Sequence, residues 1–182
     1  MSPLLSVEGA SLVRGGRLLF ERLGLTLAAG EAAHVTGPNG SGKTSLLRMV
    51  AGLLRPSAGR IERSAVALAD DGLALDRELP LGRALRFWGG PRLDEALAAF
   101  DLDRLADVPV RLLSTGQAKR AQLARVMASN APLWLLDEAH SGLDRDGVAQ
   151  LDAAIAAHRA SGGAVLATSH VALAGQWLEV AL

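Results

Sequence analysis

The chain has 182 residues, 49% of them hydrophobic, enough for one domain with a sizeable core and a small subdomain but not for several domains. Its 19 basic and 19 acidic residues balance, which argues against a nucleic-acid footprint, and the lack of cysteine excludes a disulfide framework or a thiolate metal site. No apolar run approaches the ~18 residues that cross a bilayer, and the stretch Met1 to Ala10 carries Glu8 without a charged leader, so neither a membrane span nor a secretory signal is expected.

Leu4 to Val13 and Leu18 to Leu27 read as two strands joined by the turn Arg14-Gly15-Gly16-Arg17, a hairpin leading into a third, buried strand at Ala32 to Thr36. A helix with an apolar face follows at Ser45 to Ala51. Arg55 to Gly59 reads as a loop, Arg60-Ile61 and Ala65 to Ala69 as two short strands, and Asp70-Asp71-Gly72 as an acidic turn. Helical pieces then replace strands at Leu81 to Trp88, Leu93 to Phe100 and Thr115 to Ala128. Leu93, Leu97 and Phe100 fit the spacing of one helix face. The block lacks β-branched runs and reads as a helical subdomain, about residues 73–130, inserted in a single α/β domain of residues 1–182. Leu133 to Leu136 is a continuous apolar run, as expected of a parallel strand covered on both faces. Asp146 to Arg159 reads as a helix, Ala164 to Thr168 as another buried strand, and the last residues as a short helix or strand.

Three stretches carry chemistry. Gly37-Pro38-Asn39-Gly40-Ser41-Gly42-Lys43-Thr44 has the spacing of a phosphate loop, with a strand before it and a helix after it. Its glycines let successive N–H groups approach a phosphate at a helix N-terminus, Lys43 reaches the β- and γ-phosphates, and Thr44 offers its hydroxyl to Mg²⁺. Lys43 is one of two lysines among 19 basic residues, and a compact ammonium suits a tight phosphate loop better than a forked guanidinium. Asp137-Glu138 ends a buried strand; in a phosphate-loop enzyme the first carboxylate helps hold Mg²⁺ and the second polarises the attacking water, although a solvated pair capping the next helix has the same sequence. Leu113-Ser114-Thr115-Gly116-Gln117 precedes a helix that Ser114 can cap, either an ordinary helix start or a second anion site.

Together these stretches resemble the ATP-binding subunits of the ABC transporter family over nearly the whole chain. In that resemblance Gly37 to Thr44, with Ser45, is the Walker A loop that binds ATP. Ser114, Thr115, Gly116 and Gln117 form the signature, Leu133 to Asp137 is Walker B, and Glu138 is the catalytic carboxylate. Ser141, Gly142, Leu143 and Asp144 form the D-loop, and His170 is the switch histidine, a γ-phosphate sensor and transition-state stabiliser. The resemblance implies a P-loop NTPase fold of ABC type, with an antiparallel β region at its N-terminal end and an inserted helical subdomain. It also implies ATP and Mg²⁺ as ligands, with Thr44 and Asp137 at the metal. The expected assembly is a head-to-tail homodimer in which each signature faces the ATP of the opposing subunit.

Two positions depart from the family pattern. Ala67 to Leu75 contains no glutamine, leaving Asp70 or Asp71 as the nearest polar candidate, and no aromatic stands near Leu12 to Arg14 to stack on a base. Ala139 stands where the family often has proline. Within the family the chain is most like the ATP-binding subunits of haem exporters in cytochrome c maturation. The pointers are Arg14-Gly15-Gly16-Arg17-Leu18-Leu19-Phe20, Glu31 ahead of Gly37-Pro38-Asn39-Gly40, and Leu85-Arg86-Phe87-Trp88. Integral membrane subunits of that system are then the expected partners, at the cytoplasmic face of the bacterial inner membrane. Nucleic acid is not an expected partner, and haem is not expected to bind this chain, which offers no Cys-x-x-Cys-His. Two alternatives stand beside this reading: a subunit of another ABC exporter, and a nucleotide-gated module with little turnover. His34, His140 and His158 show no metal-ligand spacing.

Overall fold

The structure, a computed structural model, describes residues 2–70, 72, 74–89 and 92–182. Strands β1 (Leu5–Arg14) and β2 (Arg17–Leu27) pair antiparallel across Gly15 and Gly16. Those glycines have φ of 58° and 75°, the left-handed pair of a type I′ turn, whose twist matches that of the flanking strands. The chain passes through β3 (Ala32–Thr36) into α1 (Lys43–Val50) and returns as β4 (Ala58–Arg63), which pairs with the free edge of β1. At Gly59 a Cβ would lie 2.4 Å from the Gly9 carbonyl oxygen, so glycine is what lets β4 approach β1 at its bulge.

β5 (Val66–Ala69) leads to the helical block of α2 (Leu81–Arg86), α3 (Leu93–Ala99) and α4 (Thr115–Ala128). β6 (Leu133–Asp137), α5 (Arg145–Ala160), β7 (Ala164–Thr168) and β8 (Leu178–Ala181) complete the chain. The second sheet has the order β5-β6-β7-β3-β8, and every neighbouring pair is parallel. The segments read as two short strands therefore belong to different sheets. β4 is mostly exposed and charged, which suits an edge, and it takes in Ala58 and Gly59 from the expected loop. β5 is half buried and apolar. The chain's last strand settles the expected helix or strand as strand.

Alternation along β6 and β7 divides the interior in two. Leu133, Leu135, Ala164 and Leu166 face a core shared with α1 and the antiparallel sheet. Trp134, Leu136, Val165 and Ala167 face a core shared with the helical block and α5. Both faces are covered, which is why these strands read as unbroken apolar runs. Along α3 and its C-cap the expected stripe is buried: Leu93, Leu97 and Phe100 all lie in the second core. α4 also buries polar groups there. Gln122 and Arg125 are 3% and 6% exposed. Gln122 Nε2 donates to the carbonyls of Asp70 and Gly72, and an Arg125 guanidinium nitrogen donates to the Leu68 carbonyl. These bonds fasten α4 to the end of β5.

His158 on α5 stacks on Trp134, with ring centroids 3.9 Å apart and planes within 9°. Gly163 seals the ring from the other side, since a Cβ there would come within 2.2 Å of it. Burial is the main reason that the imidazole is pushed down to about 4. Above the ordinary value of 6.5 the ring is neutral folded and unfolded, and its packing contributes fully. As pH falls from there through about 4, the unfolded chain takes up the proton first, and up to ~3 kcal/mol of stability is lost. Thermal melts between about pH 7 and pH 4.5 should show a steeper loss for the native chain than for His158→Leu.

Candidate nucleotide site

The phosphate loop joins the end of β3 to the start of α1 and is held by its own backbone. Ser41 N–H donates to Pro38 O at 3.2 Å, and Leu46 N–H to Gly42 O at 2.8 Å. Gly37, with φ of 140°, has no room for a side chain: a Cβ would stand 2.6 Å from Leu182 O and 2.9 Å from Ser41 Oγ. Gly42, with φ of 112°, caps α1 and would bring a Cβ to 3.2 Å from Leu19 Cβ and Phe20 Cδ1, so the hairpin rests directly on the loop. Lys43 Nζ reaches back across the loop to donate to Gly37 O at 2.8 Å and Pro38 O at 3.2 Å. That position puts the ammonium at the loop mouth, where phosphate oxygens would accept from it.

One cleft of about 380 Å³ gathers Asn39, Gly40, Gly42, Lys43, Thr44 and Ser45 from the loop with Asp137, Glu138 and His170 from the strand ends, and Arg14 and Leu19 from the hairpin. Gly37, Pro38 and Ser41 do not line it; they shape the loop behind it. Asp137 and Thr168 are register partners at the ends of β6 and β7. Thr168 Oγ1 donates to Asp137 Oδ1 at 2.7 Å and accepts from Glu138 N–H at 2.9 Å. Glu138 has φ of 48°, the left-handed region that costs a non-glycine residue about 1 kcal/mol or more. The Thr168 bond helps offset that strain. His170 faces Glu138 twice: its N–H donates to Oε2 at 3.2 Å, and Nε2 lies 3.4 Å from Oε1. Oε1 is buried, with no hydrogen-bond partner among the described residues.

The residues expected to form the signature lie elsewhere. Ser114 and Gln117 form a reciprocal capping box on α4: Ser114 Oγ accepts from Gln117 N–H at 3.3 Å, and Gln117 Oε1 accepts from Ser114 N–H at 2.9 Å. Ser114 and Thr115 are exposed. A Cβ on Gly116 would meet nothing within 4 Å, so packing within this chain gives no reason for glycine there. Thr115 shares a second cleft, of about 490 Å³, with Glu138, Ser141 and Gly142, so Glu138 borders both clefts. Ser141 N–H donates to Glu138 O at 3.0 Å, and Leu143 N–H to His140 O at 3.3 Å. Asp144 caps α5 through Gly147 N–H at 2.9 Å and is bridged by Arg120 of α4. The Gly147 N–H, then Arg120, hold its carboxyl below the usual range.

Asp70 does not line the phosphate cleft. Its carboxylate pairs with Arg48 of α1 at 3.3 Å, and Asp71 lies outside the described residues. Sequence reasoning passed over two contributors. Thr168 was read only as a strand end, although a hydroxyl closing an apolar run two residues before His170 is itself a signal. Arg14 was read as part of a turn, and its place on the cleft depends on how the hairpin folds over Gly42.

The sequence profile described as ABC transporter matches residues 20–141. The cytochrome c biogenesis ATP-binding export protein CcmA of Sphingopyxis alaskensis is 55% identical over 181 residues, covering 96% of this chain and 93% of that protein. The protein of the same name from Novosphingobium aromaticivorans is 58% identical over 165 residues, covering 88% and 85%. A solved ATP-binding subunit of an ABC transporter superposes with a TM-score of 0.86 at 24% identity, covering 92% of this chain and 80% of its own, a likeness of fold. The matched stretch contains the loop, the capped α4 and the strand-end carboxylates described above, and with relatives more than half identical along nearly its full length, the chain belongs to the ABC transporter family.

Proposed function

We propose that this chain is the ATP-binding and ATP-hydrolysing subunit of an ABC exporter that serves cytochrome c biogenesis, with haem delivery or release of a haem chaperone as the work it drives. The observation that carries the ATPase reading is the meeting of the glycine loop, Asp137, Glu138 and His170 in one cleft. Loop N–H groups and Lys43 hold the phosphates. Glu138, placed by Thr168 and facing His170, takes a proton from the water that attacks the γ-phosphorus, while the bond to the β-phosphate oxygen breaks and ADP leaves. His170 steadies charge on the γ-phosphoryl group and holds Glu138 in place. Thr44 and Asp137 line the same cleft, and their hydroxyl and carboxylate would hold Mg²⁺, which would supply positive charge against that developing on the phosphates.

The working form is a head-to-tail homodimer. Two features support it: Ser114 and Thr115 are exposed at the capped start of α4, and Gly116 leaves open space where a second copy's triphosphate would approach. Glycine is a poorer helix former than alanine and nothing packed within this chain calls for it here, which supports a benefit outside the chain. No helix among the described residues is long and apolar enough to cross a membrane. Attachment to the cytoplasmic face of the bacterial inner membrane runs through integral subunits, with residues 1–182 acting as one domain that includes the helical block, about 73–130.

Glu138→Gln should keep ATP binding, lower turnover by about 10²-fold or more, and accumulate an ATP-bound dimer by size-exclusion chromatography. Lys43→Ala should instead lose ATP affinity. Turnover by Glu138→Gln at the native rate would remove Glu138 as the base. Thr168→Val leaves the Asp137 carboxylate and the Glu138 N–H short of a partner. It should lower stability by about 1–3 kcal/mol and turnover with it, and Thr168→Ser should restore both. Gly116→Asp should melt within a few degrees of the native chain yet lose the ATP-dependent dimer.

A further inference from the structure

Between the end of β6 and the start of α5 the chain makes a tight turn, and the aim of Glu138 depends on it. Glu138 opens the turn with φ of 48°, and its carbonyl closes it by accepting from Ser141 N–H at 3.0 Å, so Ala139 and His140 are the two middle residues. Thr168 Oγ1 secures the near end, at the Glu138 N–H. Beyond the turn, exposed Gly142 has φ of 79° and open space where a Cβ would stand, so packing does not steady the chain there.

Both middle residues are pegged inward. Ala139 is buried in the core shared with the helical block. His140 is buried too, and its ring reaches α5, where Nε2 lies 2.9 Å from Asp152 Oδ1. A carboxylate can only accept, so Nε2 carries the hydrogen and donates it. The His140 carbonyl also accepts from Leu143 N–H at 3.3 Å, which ties the same residue to the segment leading into the cap of α5. A buried imidazole is costly unless its polar edge is paired, and an apolar ring would fill the space without that cost. What the polar pair adds over apolar packing is direction, because a charge-assisted bond fixes the ring edge against one point on α5.

Taking Glu138 as the base, as proposed above, we propose that His140 is its positioning residue, acting through the bond to Asp152. Neither His140 nor Asp152 lines the phosphate cleft. The pair holds the turn in the form that keeps Glu138 left-handed, with its carboxylate facing His170. Without this peg the turn relaxes toward a backbone conformation that a side chain adopts more readily, and the carboxylate loses its aim.

The test is single-turnover ATP hydrolysis and equilibrium binding of magnesium ATP by the full chain, with thermal melts alongside. The variants are His140→Phe, Asp152→Ala, the two combined, and Asp152→Asn, each in the native and the Glu138→Gln background. Asp152 is partly exposed, so Asp152→Ala breaks the bond without altering the core if phenylalanine is not accommodated at 140. Each single variant should slow hydrolysis on the order of tenfold, with ATP affinity within about twofold of native. The double variant should be no slower than the slower single one, since both remove the same bond. Asp152→Asn, which keeps an acceptor for the ring N–H, should recover most of the rate. In the Glu138→Gln background the same changes should slow hydrolysis by less than about twofold, because no base is left to aim. Equal slowing in both backgrounds, in step with lost ATP affinity or melting temperature, would make the pair a structural tie of α5 and overturn the proposal. Native rates in both single variants while Glu138→Gln is slow would overturn it as well, and would leave the base in place. Native turnover by Glu138→Gln would instead remove the base, and the positioning role would fall with it.

Discussion

The candidate site depends on one hydroxyl. Thr168 Oγ1 donates a hydrogen bond to Asp137 and accepts one from the N–H of Glu138, joining the ends of two neighbouring parallel strands. Asp137 is 4% exposed, so its carboxylate would be costly to bury without that donor. Glu138 sits in a backbone conformation that a side chain adopts reluctantly, and the same oxygen helps hold it there. In-register pairing of β6 with β7 fixes the geometry, because Asp137 and Thr168 are partners in the ladder. Position at the strand ends, orientation of the carboxylates and strain at Glu138 are thus consequences of one packing arrangement.

That arrangement is possible because the central strands are covered on both sides. The antiparallel sheet and α1 close one face; the helical block and α5 close the other. The strand ends are where chain direction brings the loops of β3, β6 and β7 together, and this is the usual place for ligands in an open parallel sheet. The hairpin is not hydrogen-bonded into this sheet, yet it contributes to the site by lying on Gly42.

Much of this was legible in the sequence. The glycine loop announces itself through spacing and flanks, and Leu133 to Leu136 and Ala164 to Thr168 through unbroken apolar runs. The capping box was partly foreseen, since Ser114 was read as a cap and the returning bond from Gln117 was not. What could not be read depends on distant pieces of chain meeting. Nothing in the sequence of β4 and β5 says that they join different sheets; that follows from which edges β1 and β6 leave open. The pairing of Asp70 with Arg48 is likewise invisible until α1 and the end of β5 are side by side. Arg14 reads as a turn residue until the hairpin is folded over the loop.

Helix α4 joins the molecule in an unusual manner. Its deep half grips main-chain carbonyls in and just after β5 through Arg125 and Gln122, while Arg125 also lies 5.0 Å from the ring of Trp88 on the adjoining surface, beside the 83%-exposed Phe87. Arg120, higher on the same rod, is tied to Asp144 at the root of α5. The aromatic pair at the surface and the serine-capped start of the helix are thus joined through one element, anchored at its buried half and tied to α5 at Arg120.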